Sequence, residues 1–362
     1  MAGKRQHYLP QFPQRGFVSE SGGRKTWLYR KNVPPREAGL RDVGVEQNFY
    51  DIDPGSSVDE TITDIEREEF VGLVEQARSG RAFDAPTSSL VPKFVAHLEV
   101  RGRHLRTNIG AQCERAWNDM LGLFEQPSLG AALVRAHLKR NPGNVRKMAA
   151  AEIRSRGLPA HMAPRVAKQM VNMVSTMPDE ILIGSFWAPL LPYIRATLKT
   201  RLLPSVKQAH LNALEKSVAP DERAEQYRGL QFSVVDMPST DVILGDAAVL
   251  FRVDGPSAWK SFLEKGDDLI ALYLPIASDR VLVGTSGERA IELTHIRQQI
   301  AKTSHSFFIS SQCSVENVEL SRRSEMPLNS CRRKNCKAFV DRSYRKSSYS
   351  KSAPSFSPAE IY

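Results

Sequence analysis

The sequence is poor in cysteine and has no long apolar run, and each shortage narrows what the chain does. Cys113, Cys313, Cys331 and Cys336 are four cysteines, unevenly spaced, in 362 residues. That is no disulfide framework, and a reducing compartment is expected. The most apolar stretch, Ile181 to Ile194, holds Pro189 and Pro192. It falls short of the roughly 20 residues that span a bilayer, so it reads as a buried, kinked helical segment. The opening Met-Ala-Gly-Lys-Arg-Gln-His has no apolar stretch behind its charges and does not read as a signal peptide. A cytoplasmic protein with no membrane partner is expected. Also missing are the Walker loop, Gly-x-Gly-x-x-Gly, His-Glu-x-x-His and Gly-x-Ser-x-Gly. Ser257-Ala-Trp-Lys260 fits Ser-x-x-Lys, a pattern too short to carry weight.

What is present is ordinary globular composition, 41% apolar and 25% charged, enough to build a substantial core. The formal charge of +10 points toward nucleic acid. About half of that surplus lies in the last fifty residues, where ten Lys and Arg face five acids. The folded body therefore reads as mildly basic, and composition alone gives a nucleic-acid partner thin support.

Hydrophobic periodicity divides the chain into three stretches. Thr26 to Arg30 and Val43 to Tyr50 read as strands, the second closing on the turn signal Asp53-Pro54-Gly55-Ser56. From Val58 the period changes to about 3.6, with Ile62, Ile65, Phe70, Leu73 and Val74 on one side and Gly80 as the stop. The helical pattern then continues to about Val218. Strands resume at Leu230–Val235, Asp241–Leu244, Ala247–Val253, Leu269–Pro275 and Arg280–Val283; a helix covers Ala290–Thr303, and Ser306–Ser310 is the last strand. The pattern predicts an α+β fold, with a mixed or antiparallel sheet built from N-terminal and C-terminal strands and a large helical insertion. Residues 1–312 form one discontinuous domain on this reading, with the helical block at about 58–218. Residues 313–362 form a basic, Ser-rich tail expected to be disordered, a composition that an out-of-frame terminus would also have.

His7-Tyr-Leu-Pro-Gln-Phe12 with Gly16-Phe17 resembles the opening motif of a large, mostly bacterial family described only as domain of unknown function 4238. Trp27-Leu-Tyr29, Val43 to Tyr50 and the Asp64-Ile-Glu66 acid are similar to later elements of it, in order. Asp246 stands where that family has a Ser-Asp-x-Pro turn, although here Gly245, Ala247 and Ala248 occupy the flanking positions. Tyr273 to Arg280 and His305 to Ser310 are similar to its last turn and strand. Pro13 departs from the aliphatic or aromatic residue usual at that point. The resemblance implies a fold; the family name implies no activity.

Four polar residues are the candidates for chemistry. His7 is a general base or metal ligand by type, and Gln11 shares its face if the segment turns helically, against which Pro10 and Pro13 argue. Glu66 and Asp246 supply carboxylates for a divalent cation or for activating water. Converging, they would suit a metal- or His-dependent hydrolase acting on nucleic acid. The alternative is a non-catalytic binding or scaffold protein contacting nucleic acid or another protein, in which His7 and Gln11 pin the N-terminus to the sheet and Glu66 makes a cap or ion pair. His305 with Cys313, Cys331 and Cys336 lacks zinc-ligand spacing, so these cysteines read as free thiols. Arg101, Arg103, His104 and Arg106, like Lys139, Arg140, Arg146, Lys147, Arg154 and Arg156, read as the wet faces of helices.

Overall fold

A computed structural model describes residues 5–50, 58–81, 83–123, 126–157, 159, 161–187, 191–237, 242–255, 258–287 and 291–323. The chain falls into two compact units, Met1–Thr107 with Gln208–Tyr362, and Asn108–Lys207.

The first unit opens with β1 (Arg5–His7), the short helix α1 (Gln11–Gln14) and a 3-10 turn over Arg15–Phe17. It continues through β2 (Lys25–Arg30), β3 (Val33–Gly39) and β4 (Val45–Gln47). Helix α2 (Val58–Ile65) runs through a π-helical turn, Glu66–Phe70, into α3 (Val71–Arg78). Gly80 ends this run at φ +71, a conformation open to glycine. Helix α4 (Ala85–Arg101) starts where the Asp84 carboxylate accepts the Thr87 N–H at 2.8 Å, an N-cap that satisfies one of the orphan donors of the first turn.

The second unit is helical. It takes in most of α5 (Arg103–Leu123), then α6 (Pro127–Arg140), α7 (Pro142–Ser155), α8 (Ala163–Thr176), α9 (Asp179–Ile181) with a π-helical turn over Leu182–Trp187, and the first part of α10 (Leu191–Lys216). Its interior is thin: Ala150, Ile153, Ala163 and Ala167 pack α7 on α8, while Ala131, Leu182 and Ile183 form a second small cluster. Leu182 and Ile183 are buried as the apolar run predicts, whereas Ile181 is 50% exposed. Pro189 lies outside the described residues.

After α11 (Asp221–Arg228) the first unit resumes with β5 (Gln231–Asp236), β6 (Leu244–Gly245), β7 (Leu250–Val253), β8 (Trp259–Lys260), β9 (Leu269–Ala277), β10 (Arg280–Thr285), α12 (Ile296–Thr303), β11 (Phe307–Ser310) and α13 (Val315–Arg323). Described strands form antiparallel sheets in the orders β1-β4, β5-β10-β9-β7-β8 and β3-β2-β11-β6. The fold is α+β, and N-terminal strands β2 and β3 do share a sheet with C-terminal β6 and β11. A buried cluster including Tyr29, Val242, Leu250, Tyr273, Val283, Ile300 and Phe308 forms its core. Among the described residues no helix is long and apolar enough to cross a membrane.

Three of the differences from the sequence reading have a plain physical cause. Strand β3 contains Pro34 and Pro35, which looked like a boundary; it is an edge strand, where a missing N–H costs no ladder bond. The predicted strand over Val43–Tyr50 shrinks to Val45–Gln47, because Asn48 turns the chain at φ +53. Helix α13 lies beyond Gln312, where tail was expected; it packs on β2 and α12 and buries Asn317 and Ser321. Residues 324–362 lie outside the described part.

Candidate functional site

The segment 5–17 holds two prolines and only three- or four-residue elements, so several of its backbone carbonyls need donors from elsewhere. They come from side chains. Gln14, fully buried, donates to Leu9 O at 2.9 Å and Val43 O at 3.2 Å. Arg78 donates to Phe12 O at 2.9 Å, Pro13 O at 2.8 Å and Ile276 O at 2.7 Å. The His7 carbonyl receives Arg101 Nη2 and, at 3.2 Å, the Tyr50 hydroxyl. Tyr8 and Leu9 donate their own N–H groups to Gly44 O. Gly16 fits where no side chain could, since a Cβ there would sit 2.1 Å from Ile276 O.

His7 and Gln11 do meet. Pro10 caps a short helical turn, and the Gln11 amide nitrogen donates to His7 Nε2 at 3.1 Å. Pro13 is tolerated because first-turn N–H groups have no intrahelical partner. Burial and the Arg101 charge hold His7 below the usual histidine pKa.

Glu66 reaches this segment through Arg101. The Arg101 guanidinium binds the Glu66 carboxylate, the His7 carbonyl and, through Nε at 3.0 Å, the Tyr50 hydroxyl. Glu66 Oε1 also lies 3.0 Å from His97 Nε2. His97 Nδ1 lies 2.8 Å from Val218 O, an acceptor, so this nitrogen carries the proton. Burial pushes His97 down to about 4, and in the neutral ring Nε2 is an acceptor, with Arg101 Nη1 at 3.4 Å as donor. His97 and Arg101 are almost wholly buried, and Glu66 is 15% exposed.

Asp246 lies in a separate arrangement. Its carboxylate accepts the N–H groups of His305 at 2.8 Å and Ser306 at 2.7 Å, and its own N–H donates to Phe307 O at 3.1 Å. Burial raises its pKa to about 6 against the pull of these amides. Among the described residues it makes no hydrogen bond or ion pair with His7, Gln11 or Glu66. Nor does any group of three or more His, Cys, Asp or Glu converge to hold a metal ion there. Cys313 is an exposed free thiol; Cys331 and Cys336 lie outside the described residues. His7, Gln11 and Glu66 are thus brought together as members of a hydrogen-bonded anchor, and Asp246 as the clasp of another turn.

The basic run at 101–106 is not the wet face its sequence suggested. Arg101 and His104 are buried. Arg106 donates to His210 Nδ1 and to Phe49 O at 3.1 Å, and its guanidinium lies 3.9 Å from the Phe49 ring centroid. His210 Nε2 faces Val100 O at 2.6 Å, and burial lowers its pKa to about 4. On the far side of α4, Glu99 is fully buried and accepts from the Tyr227 hydroxyl at 2.5 Å and the Leu263 N–H at 3.1 Å. Sequence reasoning missed His97, Glu99 and Arg101, although their spacing held a signal. Residues 97 and 101 share a helix face while 99 points about 200° away, so no single solvated face accommodates all three.

Charge outside the anchor is unevenly distributed. Asn108–Lys207 carries 14 Lys and Arg against six Asp and Glu, a surplus of eight. In the second unit, Lys139, Arg140, Arg146, Lys147, Arg154 and Arg165 are exposed, and among the described residues none of the six forms an ion pair.

No curated protein and no solved structure matches the chain. A family model does, over residues 5–340, which takes in the anchor, all three described sheets, the helical unit and α13. The chain belongs to the family described as protein of unknown function (DUF4238).

Proposed function

We propose that this protein binds nucleic acid through its helical unit, Asn108–Lys207, by contacts to the phosphate backbone. The observation that supports the reading is the surplus of eight positive charges in that unit, displayed as exposed, unpaired Lys and Arg on α6, α7 and α8. Surface cations without carboxylate partners are available to displace condensed counterions, the term that dominates sequence-independent binding. Exposed Trp117 and Tyr193 add aromatic surface of the kind on which unpaired bases stack. The hydrolase alternative draws less support, because Glu66 is held by Arg101, and Asp246 by two amides.

The test is fluorescence anisotropy with a mixed-sequence oligonucleotide, single- and double-stranded, across a series of salt concentrations. The full chain should bind in the micromolar range at low salt, with affinity falling steeply as salt rises. The variant Lys139→Glu/Arg140→Glu/Arg146→Glu/Lys147→Glu should lose most of that affinity and flatten the salt slope by roughly 3 to 4. A chain ending at Arg323 separates the contribution of the tail. No binding by the full chain at low salt, or full binding by the charge-reversed variant, refutes the reading.

A further inference from the structure

A cleft of about 330 Å³ opens where the β2–β3 turn meets the start of β11, lined by Arg30, Lys31, His305, Ser306, Tyr29 and Phe308 among others. Its size lies near the lower end of small-molecule sites, roughly 300–1,000 Å³. Four observations converge on it. First, Arg30 pairs across with Val33, so Lys31 and Asn32 form a two-residue turn, with Asn32 at φ +57. This places two adjacent cations on the rim, both exposed, and among the described residues neither has an ion-pair partner. Second, none of the lining residues is acidic. Third, His305 and Ser306 line the cleft and are both only half-buried, which leaves polar side chains open to a ligand. Fourth, the wall is fixed in advance. Both oxygens of Asp246 hold the backbone of His305 and Ser306 from behind, and the Tyr29 and Phe308 rings stack at 4.9 Å beneath.

We propose that this cleft binds a compact phosphomonoester, with Arg30 and Lys31 meeting the phosphate oxygens and His305 completing the contact. A phosphate suits the arrangement better than a carboxylate does. Two neighbouring cations, an imidazole nitrogen and the Ser306 hydroxyl offer more contacts than two carboxylate oxygens can use. Exposed Val33, which also lines the cleft, offers apolar surface to the organic part of the ligand. Asp246 does not oppose the anion directly, because its oxygens already accept the 305 and 306 amides.

Isothermal titration of the full chain with ribose 5-phosphate, inorganic phosphate and ribose tests this. Ribose 5-phosphate should bind with millimolar or better affinity, inorganic phosphate more weakly, and ribose not at all. Arg30→Ala/Lys31→Ala changes only exposed side chains, so its fold is retained, as circular dichroism will verify, and its affinity for ribose 5-phosphate should fall at least about tenfold. His305→Asn should also weaken binding. The proposal is overturned if ribose 5-phosphate binds no better than ribose, or if the Arg30→Ala/Lys31→Ala variant binds it as the unmodified chain does.

Discussion

Replacing Arg101 by Met is the sharpest probe of the anchor. The side chain is 3% exposed and serves four acceptors at once: the Glu66 carboxylate, the His7 carbonyl, the Tyr50 hydroxyl and His97 Nε2. Met restores much of the volume but no donor, leaving Glu66 charged and 15% exposed beside the unprotonated Nε2 of His97, which offers it no hydrogen. Breaking a buried pair from one side costs about 3–5 kcal/mol, and that is the expected loss in urea unfolding followed by circular dichroism. Glu66→Gln keeps an oxygen acceptor and should cost less, about 1.5–3 kcal/mol. The double variant Glu66→Met/Arg101→Met removes both charges, so it should be more stable than Arg101→Met alone. This cycle isolates the pair from the lost packing. Hydrogen exchange adds a local readout, because the Tyr8, Leu9 and Tyr50 amides bond to Gly44 O and Gln6 Oε1 within the anchor and should lose protection in Arg101→Met. A cost under about 1 kcal/mol with those amides still protected would refute the argument.

Three further outcomes follow from the same geometry. His97, His104 and His210 are each held down to about 4 by burial; the unfolded chain therefore binds more protons between pH 6.5 and 4, and each contributes about 3 kcal/mol that is present above pH 6.5 and lost as pH falls through that window. Asp246, raised to about 6, acts oppositely between pH 4 and 6, so these four groups together take up about two protons on unfolding near pH 5; urea titrations across pH should show stability falling on acidification, and His210→Gln should remove close to one proton from the slope. Gly16→Ala should cost about 2–3 kcal/mol, since the new Cβ meets the backbone of Ile276 and Ala277, measurable by thermal unfolding. Ala248 sits at φ +61, a conformation costing an L-residue about 1–2 kcal/mol; Ala248→Gly should raise the melting temperature, and a lowered one would refute the strain.

The parts of the fold legible in the sequence are those written in short-range patterns. Strand β2, the helical run from α2 through α3 with its Gly80 stop, and strands β9 and β10 all follow from periodicity and punctuation within a few residues. The sharing of a sheet by β2 and β11 was legible from the order of elements, strands before and after a helical block. Illegible were features set by distant partners. Strand β3 is a strand because it is an edge, which no local reading of Pro34-Pro35 reveals. Asp246 was visible as a turn acid, yet the amides it holds belong to residues 59 and 60 positions away. The buried state of Arg101 and His104 was hidden because basic residues on helices are ordinarily solvated, and only Glu99 on the opposite side of α4 betrays a helix buried all round.

The opening motif acquires a physical reading from this. A stretch that includes Pro10 and Pro13 lacks two backbone donors and cannot lie in the interior of a helix or a central strand. Its carbonyls still need partners once the segment is packed against β9, and few side chains serve several acceptors as a guanidinium does. Arg78 and Arg101 supply three of those bonds, to His7, Phe12 and Pro13, and two more to Ile276 O and the Tyr50 hydroxyl. A buried arginine in turn needs a counter-charge, which Glu66 provides for Arg101, and Glu66 in turn is flanked by His97. Each polar residue in this chain is required by the one before it, beginning from the prolines. The His7–Phe12 segment is thus tied to Glu66, His97 and Arg101 by packing and hydrogen bonding, with no reaction needed to explain it. The two binding sites proposed above use other residues, the exposed cations of the helical unit and the cleft beside His305.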